Sequence, residues 1–289
     1  MAVQVEVAAR GADRLGECPL WDDRGGTLWW VDSRWPAMKR LDAATGAVMM
    51  QVLPEVVGSI AFRERGGLIA ATKSGLHFVD ADTGALEACV HPEAHLPDNR
   101  FNDGRCDRAG RFWAGTMSDV KREPVGSLYR FDANLACAKL RNDVIIPNGL
   151  AFSPDGRTMY FADTNRRTIW AYDYDPASGA ATGERVFADT GEGRPDGSCV
   201  DAAGCLWNAE YGNGRLVRYT PAGKLDRVLE LPVSNPTCCC FGGDDLGTLY
   251  VTTATQRLAA EDLARQPLAG SVLALRPGVQ GLPESRFAG

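Results

Sequence analysis

Short apolar strands and polar turns alternate along the whole chain, and the alternation itself repeats. One phrase recurs six times: a short apolar strand, then a turn rich in Asp, Ser or Pro that ends in Gly, then a second strand rich in aromatic and β-branched residues. The first copy reads Cys18-Pro-Leu-Trp-Asp-Asp-Arg-Gly-Gly-Thr-Leu-Trp-Trp-Val-Asp32, and the others occupy residues 60–72, 104–116, 150–163, 198–210 and 240–253. A third strand follows each copy, at 38–46, 76–84, 127–132, 169–174, 216–223 and 272–278. Less regular apolar stretches such as 47–53, 139–145 and 227–231 serve as fourth strands. Period-two alternation bounded by Gly, Pro and Asp is the signature of antiparallel hairpins. A unit returning every 41 to 48 residues matches one four-stranded propeller blade.

Six such units fill residues 1–289, which predicts an all-β, six-bladed β-propeller of four-stranded antiparallel blades in one domain. A β-sandwich does not explain sixfold self-similarity. Too little chain follows Gly278 for a last outer strand, whereas residues 3–7 alternate and have no partner in the first blade. The N-terminal strand is therefore predicted to complete the sixth blade and close the ring, which removes an exposed edge. One helix is predicted, at 259–266, as an insert in that blade.

Composition narrows the classes. The 289 residues are 45% hydrophobic and 24% charged, as expected for a globular chain, and no stretch approaches the roughly 18 apolar residues of a membrane helix. A net charge of −6 without Lys/Arg runs argues against nucleic acid or an anionic membrane as partner. The N-terminus lacks the basic and apolar segments of a signal peptide, and the nine cysteines include no paired C-x-x-C knuckles. Reduced, mostly buried thiols in a cytoplasmic, monomeric protein are the expectation. His91 and His95 flank a proline-containing loop, which does not suit a helical two-His metal site.

In a propeller the first strand of each blade lines the central channel. Aligned copies put Glu17, Gly58, Asn102, Asn148, Asp196 and Cys238 at one rim, with separations of 41, 44, 46, 48 and 42 residues. Two carboxylates and an amide oxygen meeting there would make a hard, oxygen-only site for one divalent cation such as Ca, Zn, Mg, Mn or Fe. Asn-Gly and Asp-Gly are also common turn dipeptides, so it is the shared register that gives these positions weight. Asp23, Asp107, Asp155, Asp201 and Asp244 recur with Gly in hairpin turns and read as blade punctuation. Trp29, Trp113, Tyr160, Trp207 and Tyr250 read as packing between blades.

The sequence resembles the regucalcin/gluconolactonase family over essentially its whole length. The resemblance rests on Leu15-Gly-Glu-Cys-Pro-Leu-Trp-Asp22, Asn99-Arg-Phe-Asn-Asp-Gly-Arg105, Phe112-Trp-Ala-Gly-Thr-Met117, Pro147-Asn-Gly-Leu-Ala-Phe-Ser153 and Pro195-Asp-Gly-Ser-Cys-Val-Asp201, together with the later blocks at 239–243 and 265–270. It implies a metal-dependent hydrolase of sugar lactones, with Glu17, Asn148 and Asp196 as metal ligands and Arg100 and Asn102 as substrate-binding residues. Animal members carry an acidic pair just after Ala-Gly-Thr-Met. Here Val120 stands at the pocket-acid position, and a one-residue shift brings Asp119 into its place.

The resulting expectation is hydrolysis of a gluconolactone-like aldonolactone, with the metal as Lewis acid and Asp196 as general base. A pentonolactone (arabinono- or xylonolactone) is the second choice of substrate. A calcium-binding regulator without catalysis and a propeller interaction scaffold are readings of other classes.

Overall fold

The turn between the first two strands of each copy makes a hairpin for a local reason. Asp107 Oδ1 accepts the N–H groups of Ala109 and Arg111 at 2.8 and 3.0 Å, and Asp201 Oδ1 does the same for Ala203 and Cys205 at 3.0 Å each. Such side-chain acceptance satisfies turn donors that would otherwise lack partners.

The computed structural model describes residues 4–289. It contains six four-stranded antiparallel sheets arranged as propeller blades. Their inner strands are Gly16–Asp22, Val57–Phe62, Asn99–Cys106, Pro147–Phe152, Pro195–Val200 and Pro236–Gly242. These touch one another in cyclic order, the last against the first. Ring closure occurs as predicted: Val5–Ala9 pairs antiparallel with Val272–Leu275 as the outer strand of blade 6. Val3, the first residue of the predicted strand, lies outside the described residues. Among the described residues the one α-helix, Ala260–Arg265, falls in the predicted insert.

Each inter-blade interface has its own apolar core. The second-strand aromatics fill them: Trp29 lies between blades 1 and 2, Trp113 between 3 and 4, Tyr160 between 4 and 5, Trp207 between 5 and 6, and Tyr250 between 6 and 1. Burying such a side chain contributes about 2–3 kcal/mol, so the aromatic repeat is what holds blade to blade. Consecutive Cys239 and Cys240 serve two different interfaces, as neighbours in a strand must. Among the described residues every cysteine is a free thiol and seven are buried.

The inner strands pack too closely for side chains everywhere. At Gly58 a Cβ would run into the carbonyl oxygens of Phe101 and Asn102, which explains why a rim position of blade 2 carries no functional group. The other end of the channel is crossed by the C-terminal tail. Glu284 pairs with Arg105 at 2.5 Å, Ala202 N–H donates to Gln280 O at 2.9 Å, and Phe287 N–H donates to Phe62 O at 2.7 Å. The channel is therefore open to the rim and strapped at its base.

Candidate metal and substrate site

Every inner strand breaks register near its rim end: between Glu17 and Leu20, Val57 and Ser59, Phe101 and Gly104, Asn148 and Ala151, Pro195 and Ser198, and Pro236 and Cys238. Bulges of this kind re-aim side chains. Two of them share a device, because Cys18 (φ 50°) and Gly149 (φ 64°), which follow Glu17 and Asn148, are both left-handed. Glycine tolerates that conformation freely, whereas Cys18 bears roughly 1–2 kcal/mol of strain.

The rim residues converge. Glu17, Arg100, Asn102, Asn148 and Asp196 line one pocket of about 520 Å³, counted to its open mouth. A directed hydrogen-bond chain orders its floor. Arg100 Nη1 donates to Asn102 Oδ1 at 2.8 Å, and Asn102 Nδ2 donates to Asn148 Oδ1 at 3.1 Å. Asn148 Nδ2 then donates to Thr164 Oγ1 at 2.7 Å, whose hydroxyl donates to Pro195 O at 2.7 Å. The chain leaves Asn148 Oδ1 with a lone pair to spare.

The acids are electrostatically uncomfortable. Burial pushes the Glu17 carboxyl well above its ordinary range, and the charges of Asp196 and Asp103 push the same way. Asp196 is likewise raised by burial and by Asp103. It is only 5% exposed, and its Oδ1 has no hydrogen-bond partner. An orphaned carboxylate oxygen, a second acid repelling it and a fixed amide oxygen form an oxygen-only donor set that fits a divalent cation. Among the described residues no three His, Cys, Asp or Glu side chains come together as a ligand cluster, so this set depends on the Asn148 amide for its third oxygen.

Asp119 sits elsewhere. It does not line the pocket; its oxygens accept both terminal nitrogens of Arg34 at 2.6 Å each and form an ion pair with Arg100, whose Nε stands 3.1 Å away. Burial works to raise its pKa, but these arginines overcome that and hold the carboxyl well below its ordinary range. Asp119 thus anchors the arginine that faces the pocket.

The model of the SMP-30/gluconolactonase/LRE-like region matches residues 15–255. The chain belongs to this family. It is 41% identical over 277 residues to a 6-deoxy-6-sulfogluconolactonase of Pseudomonas putida, covering 95% of each chain. It is 34% identical to Xenopus laevis regucalcin, covering 100% of this chain and 99% of that one. A crystal structure of Agrobacterium tumefaciens regucalcin, described as a calcium-binding protein, superposes with a TM-score of 0.95 at 33% identity, covering 99% of this chain and 98% of that one.

The sequence pattern points to the inner-strand residues of this pocket and not to those that reach it from loops. Arg34, Arg122, Thr164, Asn165, Tyr211, Gln256 and Arg257 all follow the second strands of their blades, on the rim side, and line the pocket. The sequence signal for them is coarse: the blade repeat marks the loop after each second strand as rim, with the pocket residue one to four positions along it. Asp103 was also missed. It faces the channel and accepts the N–H of Leu150 at 2.9 Å.

Proposed function

We propose that this chain hydrolyses the ester of an aldonolactone ring to the open aldonic acid, with a divalent cation held by Glu17, Asn148 and Asp196. The observation that carries this reading is the pairing of two mutually repelling carboxylates with a fixed amide oxygen, beside a buried guanidinium. Family membership and the names of its lactonase relatives support the reaction class. A bound cation would supply Lewis-acid polarisation of the carbonyl.

The chain's own groups do the rest. Arg100 and Asn102 hold ring and hydroxyl oxygens and orient the ester. Asp196, through its unpartnered Oδ1, takes a proton from the attacking water and returns it to the ring oxygen as the carbon–oxygen bond breaks. Glu17 keeps the site anionic, while Asn148 completes it without adding charge. Water is consumed, one carboxylate and one hydroxyl form, and one proton is released. The six-carbon lactone is the first choice, since the relative with 41% identity is named for one; a five-carbon lactone is the alternative.

Acid release from a panel of aldonolactones, with and without EDTA and with added Mg²⁺, Mn²⁺, Zn²⁺, Fe²⁺ or Ca²⁺, tests the proposal. Cation-dependent release is expected. Equal turnover after chelation, or no rate above spontaneous hydrolysis, would overturn it. The description of the Agrobacterium relative favours a second reading, a calcium-binding protein without catalysis, in which Arg100 and Asn102 have no task.

A further inference from the structure

The outer strands are the free edges of the blades, and all but one carry charge. Glu6, Glu87, Lys139, Glu184 and Asp226 each sit in a different one. Charged side chains on an edge oppose pairing with another chain. The outer strand of blade 1, Val48–Val52 (Val-Met-Met-Gln-Val), has none. Val48, Met49, Met50 and Val52 are 46%, 60%, 57% and 58% exposed, and no other strand among the described residues exposes as many large apolar side chains.

The backbone of this strand is laid out for a partner. Asp42 N–H donates to Ala47 O and Leu53 N–H donates to Pro36 O, each at 2.9 Å. Hydrogen-bonded residues alternate along an antiparallel pair, so Met49 and Gln51 turn their N–H and C=O groups toward the neighbouring strand, Ala37–Asp42. Val48, Met50 and Val52 turn theirs outward, where no strand of this chain meets them. Val52 O accepts from Gln51 Nε2 at 3.2 Å and keeps a second lone pair. The side chains of the same three residues share one face of the sheet.

The segment also reads nearly alike in both directions. When two copies run antiparallel about a two-fold axis at Met50, Val48 faces the partner's Val52, Met50 faces the partner's Met50, and Met49 faces the partner's Gln51. The Val–Val and Met–Met pairs are the ones whose backbone groups point outward, so about six N–H···O=C bonds form without a shift of register. Such an interface is isologous and closes on itself. The apolar side chains of this edge offer on the order of 400 Å² per copy, about half of what a permanent complex buries per partner. That area suits a reversible dimer.

We infer that the outer strand of blade 1 pairs with the same strand of a second copy, so that one sheet runs from propeller to propeller. This takes the place of the monomer that a self-closed ring suggests. The strand lies on the circumference of the ring, so both pocket mouths stay open, and the inference stands apart from the lactonase reading.

Sedimentation equilibrium of the full chain from about 1 to 500 µM tests it, with Met50→Lys, Met50→Pro and, on another outer strand, Val186→Lys as a control. A dimer with a Kd of about 10–100 µM is expected for the wild type and for Val186→Lys. Met50→Lys sets like charges together on the axis, and Met50→Pro deletes an outward N–H without losing a bond inside the blade. Each should weaken association by about tenfold or more, with a native unfolding transition retained. Amide exchange reports the register: the N–H groups of Val48, Met50 and Val52 should slow severalfold as concentration rises, while those of Met49 and Gln51 stay constant. A chain that is monomeric throughout overturns the inference, whether or not a foreign peptide binds the edge. So does a dimer that both Met50 variants leave intact, or one in which the outward amides exchange as fast as in the monomer.

Discussion

Asn102 Nδ2 donates to Asn148 Oδ1 at 3.1 Å, tying the inner strand of blade 3 to that of blade 4 at the rim. Asn148 could otherwise present either its oxygen or its nitrogen to the pocket, and this bond, with Thr164 on the other side, selects the oxygen. Asn102→Ala removes that constraint without touching the donor set. Cation affinity is expected to fall by about 10–100-fold, the usual cost of losing an orienting neighbour. Titration calorimetry with Ca²⁺ or Mn²⁺ checks it, and unchanged affinity would show that Asn148 needs no orienting.

Asp196 keeps a buried carboxylate oxygen without a partner beside a second acid. Asp196→Asn removes the repulsion and should stabilise the metal-free chain by about 1–2 kcal/mol, while ending cation binding and turnover. The unfolding midpoint in EDTA is expected to rise by about 2–3 °C, and added cation should then shift only the wild type. A variant less stable than wild type in chelator contradicts this account of Asp196.

Asp119 gives a pH dependence of definite sign. Its carboxyl is held below the ordinary value of about 4 by Arg34 and Arg100, so it stabilises the fold above that value and loses the contribution as the pH falls through its lowered pKa. Asp119→Asn should cost about 2–3 kcal/mol, between exposed and buried ion pairs. The difference from wild type, measured by urea unfolding, should be constant from pH 6 to 8 and close only below about pH 4. A gap that widens on acidification would assign the pairing to other groups.

The inner half of each blade is legible in sequence, because burial on both faces makes its two strands largely apolar, with Gly and Asp punctuating the turn between them. Outer strands are freer. Leu86–Val90 and Ala180–Asp189 are mostly exposed or half-buried and carry little periodicity for a sequence pattern to show. Glu17, Asn148 and Asp196 were findable because they repeat with the blade. Arg34, Arg122 and Arg257 follow the second strands of their blades at offsets of two to four residues, so the blade repeat marks the loops that carry them but not the exact positions. The resemblance offered Asp119 as a pocket residue; its place behind Arg34 and Arg100 depends on two blades meeting, which no local pattern encodes.

The tail after Gly278, leftover chain on the blade arithmetic, makes the base of the channel. Phe287 is fully buried in the core between blades 2 and 3, and its backbone N–H and C=O pair with Phe62 O and Glu64 N at 2.7 and 2.9 Å. Phe287→Ala should therefore cost about 3–5 kcal/mol, as for a large core side chain whose cavity cannot collapse. Glu284→Gln acts differently: it leaves the packing intact and removes the countercharge of Arg105, whose other acidic neighbour is Asp103 below the rim. Arg105 is then free to draw on the rim acids, so cation affinity should weaken severalfold, and the buried guanidinium left without its partner should cost about 3 kcal/mol. Hydrogen exchange at Phe62 and Glu64 separates the two variants, rising most sharply in Phe287→Ala, where the strap loses its anchor beside these amides. Slow exchange in Phe287→Ala would mean that the strap holds without its aromatic anchor.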